Sequence, residues 1–439
     1  MTTRFYNAKI LTMSDDGDPF DGELWTEGAR IAFVGTADEA ERKKRESALQ
    51  DGIRFADEID CEGNLLMPGF KNAHTHSAMT LLRSRADDLP LDQWLNEQIF
   101  PVEARLTEED IYHLTKLAFL EYLTSGITAC FDMYLTPRSI ARAASDAGFR
   151  MVQVGAVNNF SQSPELVEEM YRELNGKDAY NSYVIGFHAE YTCSRELLEK
   201  IAALADRLKA PVFTHISETK GEVAGCKERY GMTPVAFLDS LGMFAHGGGG
   251  YHLVHVTDED IRILKDRGMF VVTNPGSNTK LASGIAPISK YLAAGVPVAI
   301  GTDGPASNNA LDMFREMFLV TGLAKLKDDS ASSVDASEVL KMATVNGARA
   351  MGLNDCDVLA EGKKADLILI DLHAPNMQPV NNIRKNLVYS GSKSNVKLTM
   401  IEGKVKYRDG SFFIGGSPDD IYAKATEIKE RIDREMAGA

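Results

Sequence analysis

The sequence has few cysteines and no long apolar run. Its five cysteines are scattered over 439 residues and form no C-x-x-C pair, which excludes a dense disulfide framework and indicates a reducing compartment. No stretch reaches the ~18 apolar residues of a membrane span, and residues 1–7 lack the apolar core of a signal peptide. We therefore expect a cytoplasmic protein that does not bind a membrane.

Positive charge is also scarce. The chain has 48 Lys and Arg residues against 63 Asp and Glu residues, a net charge of −15. Because binding to a phosphate backbone needs clustered cations, we expect no nucleic-acid partner. The short basic run at residues 42–45 is flanked by Glu41 and Glu46 and is typical of a solvated helix face.

From about residue 65 the sequence alternates short apolar strands with amphipathic helices. Eight such strands, most of them followed by a helix, predict a (β/α)8 TIM-type barrel. An open doubly wound sheet is the alternative, and it is disfavoured because no Gly-rich phosphate loop follows the first strand. The predicted strands are Leu65–Phe70, Ile127–Met133, Arg150–Val157, Tyr183–His188, Pro211–His215, Tyr251–Val256, Met269–Asn274 and Val296–Gly301.

Both ends of the chain have a different pattern, in which short strands alternate with turns over residues 4–35 and 365–408. This predicts one small β-sandwich domain built from both termini, with the barrel inserted between them. The predicted division is 1–64 and 359–410 for the β-sandwich, 65–358 for the barrel and 411–439 for a helical tail.

Histidines cluster at the ends of the predicted strands, which is where (β/α)8 barrels carry their active sites. His74 and His76 are two residues apart, so in an extended strand they point to the same face. Other strands carry His188, His215 and His252 near their ends, so five of the nine histidines share this rim. Glu218 follows the fifth strand and Asp303 the eighth.

Three imidazoles and one carboxylate suit one divalent metal ion, with zinc the first choice and iron the second. We assign the ligands as His74, His76, His215 and Asp303. A metal ion activates a bound water molecule, and Glu218 as a free carboxylate can then move a proton while His252 and Asp303 orient the water. Individually, His252 could be a core histidine, Asp303 a turn residue and Glu218 a helix N-terminal acid.

Two further motifs are interpreted as having no such function. His188-Ala189-Glu190 matches the H-x-E of one class of zinc deaminases, but the P-C-x-x-C motif that class also needs is missing. The glycines at 247–250 lack the Lys-Ser/Thr of a phosphate loop, and we interpret them as a flexible lead into the sixth strand.

The motifs around these residues resemble the amidohydrolase superfamily, and more closely its 5′-methylthioadenosine/S-adenosylhomocysteine deaminase family. The resemblance covers nearly the whole chain. It rests on the strand-one signature Pro68–His76, the loop Ala86–Leu91 with Trp94, the loop Asn274–Pro287, the loop Gly301–Asn309 and the return strand Ala365–Ile368.

The resemblance implies a hydrolytic deaminase of adenine nucleosides with the four ligands given above. It implies substrate contacts by Glu103 at the ribose hydroxyls, by Trp94, Arg150 and His188, and by Glu218 at the purine. No lysine ends strand four, so we expect one catalytic metal rather than two. A small purine nucleoside is the expected partner, and we expect a homo-oligomer.

Two departures from the family pattern bear on the substrate. Glu190 replaces the usual proline, and we expect its carboxylate to repel the amino-acid end of S-adenosylhomocysteine. Residues 158–162 contain no cation. Both favour adenosine or neutral 5′-substituted adenosines. Two alternatives stay open: a hydrolase of another heterocycle, such as guanine, a pterin or a triazine, and a non-catalytic barrel.

Overall fold

The computed structural model describes residues 2–14, 17–48, 54–85, 87–89 and 93–438. Three residues of the loop motif named above, Ala86, Pro90 and Leu91, lie outside this part of the chain. The strands in chain order are β1 Thr2–Ile10, β2 Phe20–Glu27, β3 Arg30–Thr36, β4 Asp57–Asp60, β5 Leu65–Pro68, β6 Phe70–Thr75, β7 Ile127–Asp132, β8 Arg150–Val154, β9 Asn181–Ala189, β10 Val212–Ile216, β11 Gly248–His252, β12 Met269–Thr273, β13 Val298–Ile300, β14 Leu367–Ile370, β15 Val396–Ile401, β16 Lys404–Arg408 and β17 Ser411–Phe412.

Helices connect most of these strands. Those of one turn or more of α-helix are Ala37–Ala48, Phe100–Glu103, Glu108–Thr124, Pro137–Ala147, Pro164–Leu174, Arg195–Leu208, Lys220–Tyr230, Pro234–Ser240, Asp258–Asp266, Pro275–Lys280, Ile288–Ala294, Met313–Asp328, Ala336–Lys341, Gly347–Ala350, Ile383–Tyr389 and Pro418–Ala437. Shorter or irregular turns are Ser77–Leu82, Trp94–Ile99, Glu190–Thr192, Met342–Asn346, Pro375–Met377 and Lys393–Asn395. Among the described helices, none combines the length and the apolar character that a membrane crossing requires.

Strands β6 to β13 form one parallel sheet in which each strand pairs with the next along the chain. The amide of Asp303, just after β13, donates to the carbonyl of His74 on β6 at 3.0 Å, so the sheet curls into a nearly closed barrel. The predicted (β/α)8 barrel is confirmed, and the open sheet is wrong.

Helix ends follow local rules: Thr107 and Asp110 form a reciprocal capping box at the start of Glu108–Thr124.

The remaining strands form a separate mixed sheet that takes strands from both ends of the chain. Its order is β17-β16-β15-β14-β5-β1-β2-β3, with β4 beside β1. One face encloses a second apolar core, which includes Phe5, Leu24, Leu66, Leu367 and Met400. The prediction that both termini build one β domain is thus confirmed, and it consists of a single mixed sheet.

The first predicted strand, Leu65–Phe70, is in fact divided between the two sheets. Its larger part is β5, which pairs with β1 and β14 in the mixed sheet, whereas the barrel begins with β6. Gly69 lies at the crossing, where a Cβ atom would come within 2.1 Å of the Thr128 side chain. Only glycine lets the chain pass this close to the neighbouring strand.

The glycine-rich stretch at 247–250 is not a flexible lead, because Gly248–Gly250 belong to β11 itself. A Cβ atom on Gly249 would lie 2.4 Å from the Phe213 ring, and one on Gly250 would lie 2.4 Å from the Ile216 side chain. The glycines therefore serve close packing of β11 against large side chains inside and around the barrel.

Candidate active site

Five polar side chains converge at the carboxyl-terminal end of the barrel. His74 lies on β6, His76 just after it, His215 on β10, His252 at the end of β11 and Asp303 after β13. The Nε2 atoms of His74 and His215 are 3.1 Å apart. Asp303 Oδ1 lies 3.4 Å from His74 Nε2 and 3.1 Å from His76 Nε2. The structure therefore brings the four predicted ligands close together.

Hydrogen bonds fix which ring nitrogen of three histidines faces the centre. Nδ1 of His76 lies 2.5 Å from the carbonyl oxygen of Met133, and Nδ1 of His215 lies 2.7 Å from that of His188. Nδ1 of His252 lies 2.7 Å from Asn278 Oδ1. Since these oxygens only accept, each Nδ1 donates, and in the neutral ring the Nε2 lone pair is left to face the cluster.

The cluster's charges suit a cation. Burial lowers the pKa of His74 to about 3 and lowers that of His215 as well, which keeps both rings neutral as metal ligation requires. Burial opposes protonation of His76, but the Asp303 carboxylate raises its pKa to about 9. Burial also opposes ionisation of Asp303, yet hydrogen bonds from His74 and His76 hold its pKa well below its usual range.

These donors fit a divalent metal ion. Within the described residues, one ligand atom from each of His74, His215, His252 and Asp303 lies within 4.8 Å of the others. His76 adds a further donor through its contact with Asp303. Three imidazoles with a carboxylate form a set typical of catalytic zinc. The distances thus gather one more histidine, His252, than the predicted set of four.

Glu218 is held beside this cluster without joining it. Its Oε1 accepts a hydrogen bond from Ser283 Oγ at 3.0 Å, and its Oε2 lies 3.8 Å from His252 Nε2. The chain reaches this position through Ser217, whose φ is +54°. Glu222 fixes the turn, because its two carboxylate oxygens accept from the amides of Ser217 and Glu218 at 2.6 and 2.7 Å.

Sequence reasoning assigned no role to Asn278, Ser283 or Glu222. The spacing Thr219-x-x-Glu222, typical of a helix start, was a signal for Glu222. Asn278 and Ser283 belong to the loop motif Asn274–Pro287, which the sequence identifies only as a whole. Their contacts with His252 and Glu218 become visible only in the structure.

A cavity of about 580 Å³ opens above the cluster, a size that suits a small organic substrate. Of the predicted site residues, it is lined by His76, Trp94, Glu103, His188, His215, Glu218, His252 and Asp303. Its walls otherwise come mainly from the segments that follow β6, β7 and β8, among them Ile99, Phe100, Tyr134, Leu135, Asn158 and Phe160.

Three buried polar atoms of this wall have no hydrogen-bonding partner in the described part of the protein: Trp94 Nε1, Glu103 Oε1 and Tyr134 Oη. Buried polar groups are rarely left unpaired, so a ligand is expected to complete them. Burial raises the pKa of Glu103 to about 7, although the neighbouring Tyr134 hydroxyl acts in the opposite direction.

His188 lies between the cluster and the cavity wall, with its ring centroid 5.0 Å from that of His215. Its Nδ1 is 3.1 Å from Thr192 Oγ1, and that hydroxyl itself donates to the Ala189 carbonyl. Nδ1 therefore carries the proton. Because burial lowers the pKa of His188 to about 4, the ring is neutral and its Nε2 is an acceptor.

Arg150 is not part of this site, which corrects its prediction as a substrate contact. It is the first residue of β8 and lies at the opposite, amino-terminal end of the barrel. Its guanidinium pairs with the buried carboxylate of Asp366 at 2.6 Å and also contacts Glu402.

Glu190 also lies elsewhere than predicted. It is 1% exposed and pairs with Arg229 at 2.7 Å, and it does not line the cavity. A carboxylate neutralised in this way cannot repel a substrate, so the argument from charge repulsion by Glu190 is wrong.

Known proteins are similar to this chain over most of its length. Residues 65–406 match the model of the amidohydrolase family. A 5-methylthioadenosine/S-adenosylhomocysteine deaminase of Desulfitobacterium hafniense is 41% identical over 414 residues, which cover 92% of this chain and 93% of that protein. A 5′-deoxyadenosine deaminase of Methanothermobacter thermautotrophicus is 40% identical over 359 residues, or 80% and 84% of the two chains.

Solved structures share the whole architecture. An adenosine deaminase from Xanthomonas campestris with bound zinc superposes with a TM-score of 0.91 at 32% identity, covering 99% of this chain and 98% of that one. An atrazine chlorohydrolase from Arthrobacter aurescens, at 21% identity and a TM-score of 0.87 over 97% and 100% of the chains, shares the fold. Since the family model spans most of the sequence and these relatives cover nearly all of it, the chain belongs to the amidohydrolase family.

Proposed function

We propose that this protein is a metal-dependent hydrolytic deaminase that replaces the 6-amino group of adenine nucleosides with oxygen. The observation that carries the proposal is the position of Glu218, a carboxylate 3.8 Å from His252 at the edge of a buried His/Asp cluster. The names of the relatives at about 40% identity, which are deaminases of adenine nucleosides, support the same reaction.

His74, His76, His215 and Asp303 would hold the metal ion, with zinc preferred over iron for this set of nitrogen and oxygen donors. When bound, a divalent ion acidifies a water molecule so that it can attack an electron-poor carbon at neutral pH. We give His252 an orienting role instead, because its Nε2 lies between Glu218 Oε2 at 3.8 Å and Asp303 Oδ2 at 4.0 Å.

Glu218 carries the proton transfer. As a base it takes a proton from the attacking water while the new carbon–oxygen bond forms at C6, and it passes that proton to the ring nitrogen next to C6. Collapse of the tetrahedral carbon breaks the carbon–nitrogen bond, and the amino group leaves as ammonia with the second proton of the water. The products are the 6-oxo nucleoside and ammonia.

The residues around Glu218 hold the reacting groups in line. Asn278 fixes His252 so that its Nε2 faces the space between Glu218 and Asp303, where it can hold the attacking oxygen. Across the cavity, Glu103 offers carboxylate oxygens to the two ribose hydroxyls, Trp94 offers its indole N–H, and His188 an acceptor nitrogen.

A nucleoside explains this cavity better than a bare heterocycle does. Glu103 Oε1 lies in the wall without a hydrogen-bonding partner among the described residues, and the hydroxyl donors of a ribose would satisfy it. A non-catalytic barrel would have no need of Glu218 and its supports Ser283 and Glu222.

We also propose that the protein is cytoplasmic and forms a homo-oligomer. Light scattering of the purified protein tests the oligomeric state.

The decisive experiment measures ammonia release and the change in purine absorbance with the zinc-loaded enzyme on adenosine, 5′-deoxyadenosine, 5′-methylthioadenosine and S-adenosylhomocysteine. Glu218→Gln is expected to lower kcat by at least about 100-fold, because general acid–base catalysis contributes on this scale, with the metal content unchanged. Glu228→Gln, which changes an exposed acid on the helix Lys220–Tyr230 that follows Glu218, is the matched control and should keep full activity. Absence of turnover on all four substrates would reject the proposal.

A further inference from the structure

The cavity has a buried inner end and an open outer end, as the exposure of its lining residues shows. The His/Asp cluster is buried at its inner end, whereas Phe160 is 82% exposed, Tyr191 40% and Phe100 37%. If the proposed function is right, C6 of the purine lies at the cluster and the ribose lies at Glu103. The 5′ position of the nucleoside must then point to the outer end, towards these aromatic side chains.

Phe160 is held in its exposed position by a rigid loop. Asn158 Oδ1 accepts hydrogen bonds from the amides of Phe160 and Ser161, both at 2.8 Å. The Gln162 side chain accepts from the Ala156 amide at 2.9 Å and donates to the Tyr134 carbonyl at 3.0 Å. The loop is thus bonded to the cavity wall, which fixes the backbone of Phe160 at the mouth of the cavity.

A large apolar side chain fixed in solvent at the mouth of a cavity indicates a contact that forms when a ligand enters. The lining offers no cation: among the described residues that line the cavity, none is a lysine or an arginine. The acids Glu103, Glu218 and Asp303 supply negative charge instead. A carboxylate or phosphate at the 5′ end would find no cationic partner to offset the loss of its hydration.

We propose that Phe160 determines specificity at the 5′ position, and that the enzyme selects adenosines with a short, uncharged, apolar 5′ substituent. A methylthio group suits the ring best, because thioethers make favourable contacts with aromatic edges. The free 5′-hydroxyl of adenosine gains less from this contact. S-adenosylhomocysteine has a thioether at the same position, but its charged amino-acid group would lose hydration without a cationic partner. This inference rests on the proposed function and assigns its substrate class.

The test compares kcat/KM of the zinc-loaded enzyme for 5′-methylthioadenosine, adenosine and S-adenosylhomocysteine. In Phe160→Ser the value for 5′-methylthioadenosine should fall about 10-fold, on the scale of a lost apolar contact, whereas that for adenosine should change less than about threefold. Phe413→Ser, which removes a phenyl ring that is 54% exposed outside the cavity lining, is the matched control. It should alter neither value.

A gain of function makes the test two-sided. Phe160→Arg should raise kcat/KM for S-adenosylhomocysteine relative to 5′-methylthioadenosine, since it supplies the missing cation. Equal losses on both nucleosides in Phe160→Ser would overturn the proposal, as would a wild-type enzyme that prefers S-adenosylhomocysteine. If no nucleoside is turned over at all, the proposed function fails. Calorimetry then tests the selectivity separately, through the ratio of the binding constants of 5′-methylthioadenosine and S-adenosylhomocysteine.

Discussion

Glu103 is the residue whose protonation should be visible in the kinetics. It lies in the cavity wall, burial raises its pKa to about 7, and one of its oxygens has no protein partner. A carboxylate accepts from two ribose hydroxyls only in its ionised form, since the protonated acid turns one oxygen into a donor. Its charge state therefore controls nucleoside binding near neutral pH.

We predict that kcat/KM for adenosine falls as the pH drops below about 7, which is the raised pKa of the Glu103 carboxyl. The sign follows from the raised pKa: the ionised, binding-competent form dominates above this value and is lost below it. The measurement is a pH profile of kcat/KM between pH 5 and 9 at constant ionic strength.

Glu103→Gln is the control, because a neutral amide cannot titrate. Its kcat/KM should be lower than that of the wild type at pH 8 and should lack this acid limb. An acid limb that persists unchanged in Glu103→Gln would assign it to another group and reject the role of Glu103.

At this scale the sequence predicted most of the site but misplaced Arg150 and Glu190. His74 and His76 could be found because a strand's two-residue period fixes their common direction, and strand ends locate the site. The same rule argued against Arg150, which opens its strand and so belongs at the other rim. Glu190 could not be judged, because its partner Arg229 lies 39 residues further along the chain.

At the scale of elements, the loops above the barrel are joined by a polar latch, formed by Ser84, Asp87, Lys280 and Asn309. Lys280 Nζ lies 2.5 Å from Asp87 Oδ1 and also contacts Asn309. Asn309 Nδ2 donates to Asp87 Oδ2 at 2.9 Å and to Ser84 Oγ at 3.0 Å. The latch fixes the segment after β6 to the loops after β12 and β13.

Breaking the latch should loosen the cavity wall rather than the catalytic cluster, since Trp94 and Glu103 follow Asp87 in the same connection. We predict that Asp87→Asn and Lys280→Met each raise KM by about fivefold, equivalent to about 1 kcal/mol for a partly exposed ion pair. The kcat should change less, because Glu218 and the metal ligands are untouched.

Steady-state kinetics of both single variants and the double variant measure the coupling. The double variant should be no worse than either single one, as for two partners of one interaction. Lys290→Met breaks an exposed pair with Asp258 and serves as the control. Strictly additive losses in the double variant would contradict a shared latch.

The sequence did not predict where the chain passes from the mixed sheet to the barrel. Leu65–Phe70 is a continuous apolar run, and apolar pattern alone does not tell which sheet a buried strand joins. The crossing at Gly69 depends on the approach of Thr128, almost sixty residues later. Element types along the barrel were predictable from local periodicity, whereas this boundary is set by a long-range contact.

For the whole molecule, Arg150 links the barrel to the mixed sheet. Its Nε and Nη2 donate to the two oxygens of Asp366 at 2.6 and 3.0 Å, and Nη1 donates to the Ala179 carbonyl at 2.6 Å. Asp366 precedes β14, and its Oδ1 also accepts from the amide of Glu402 at 2.7 Å, after β15. Burial opposes ionisation of Asp366, but Arg150 holds its pKa low.

We predict that Arg150→Met lowers the free energy of unfolding by about 3–5 kcal/mol, because it leaves the charge of the buried Asp366 without its partner. Arg138→Met, which breaks exposed pairs with Glu169 and Glu173, is the control and should cost less than about 1 kcal/mol. Urea unfolding monitored by circular dichroism measures both. Because Arg150 lies at the barrel end away from the cavity, the folded variant should keep kcat/KM within about twofold. A stably folded Arg150→Met enzyme with greatly reduced kcat/KM would contradict this structural role and indicate that Arg150 contacts the substrate.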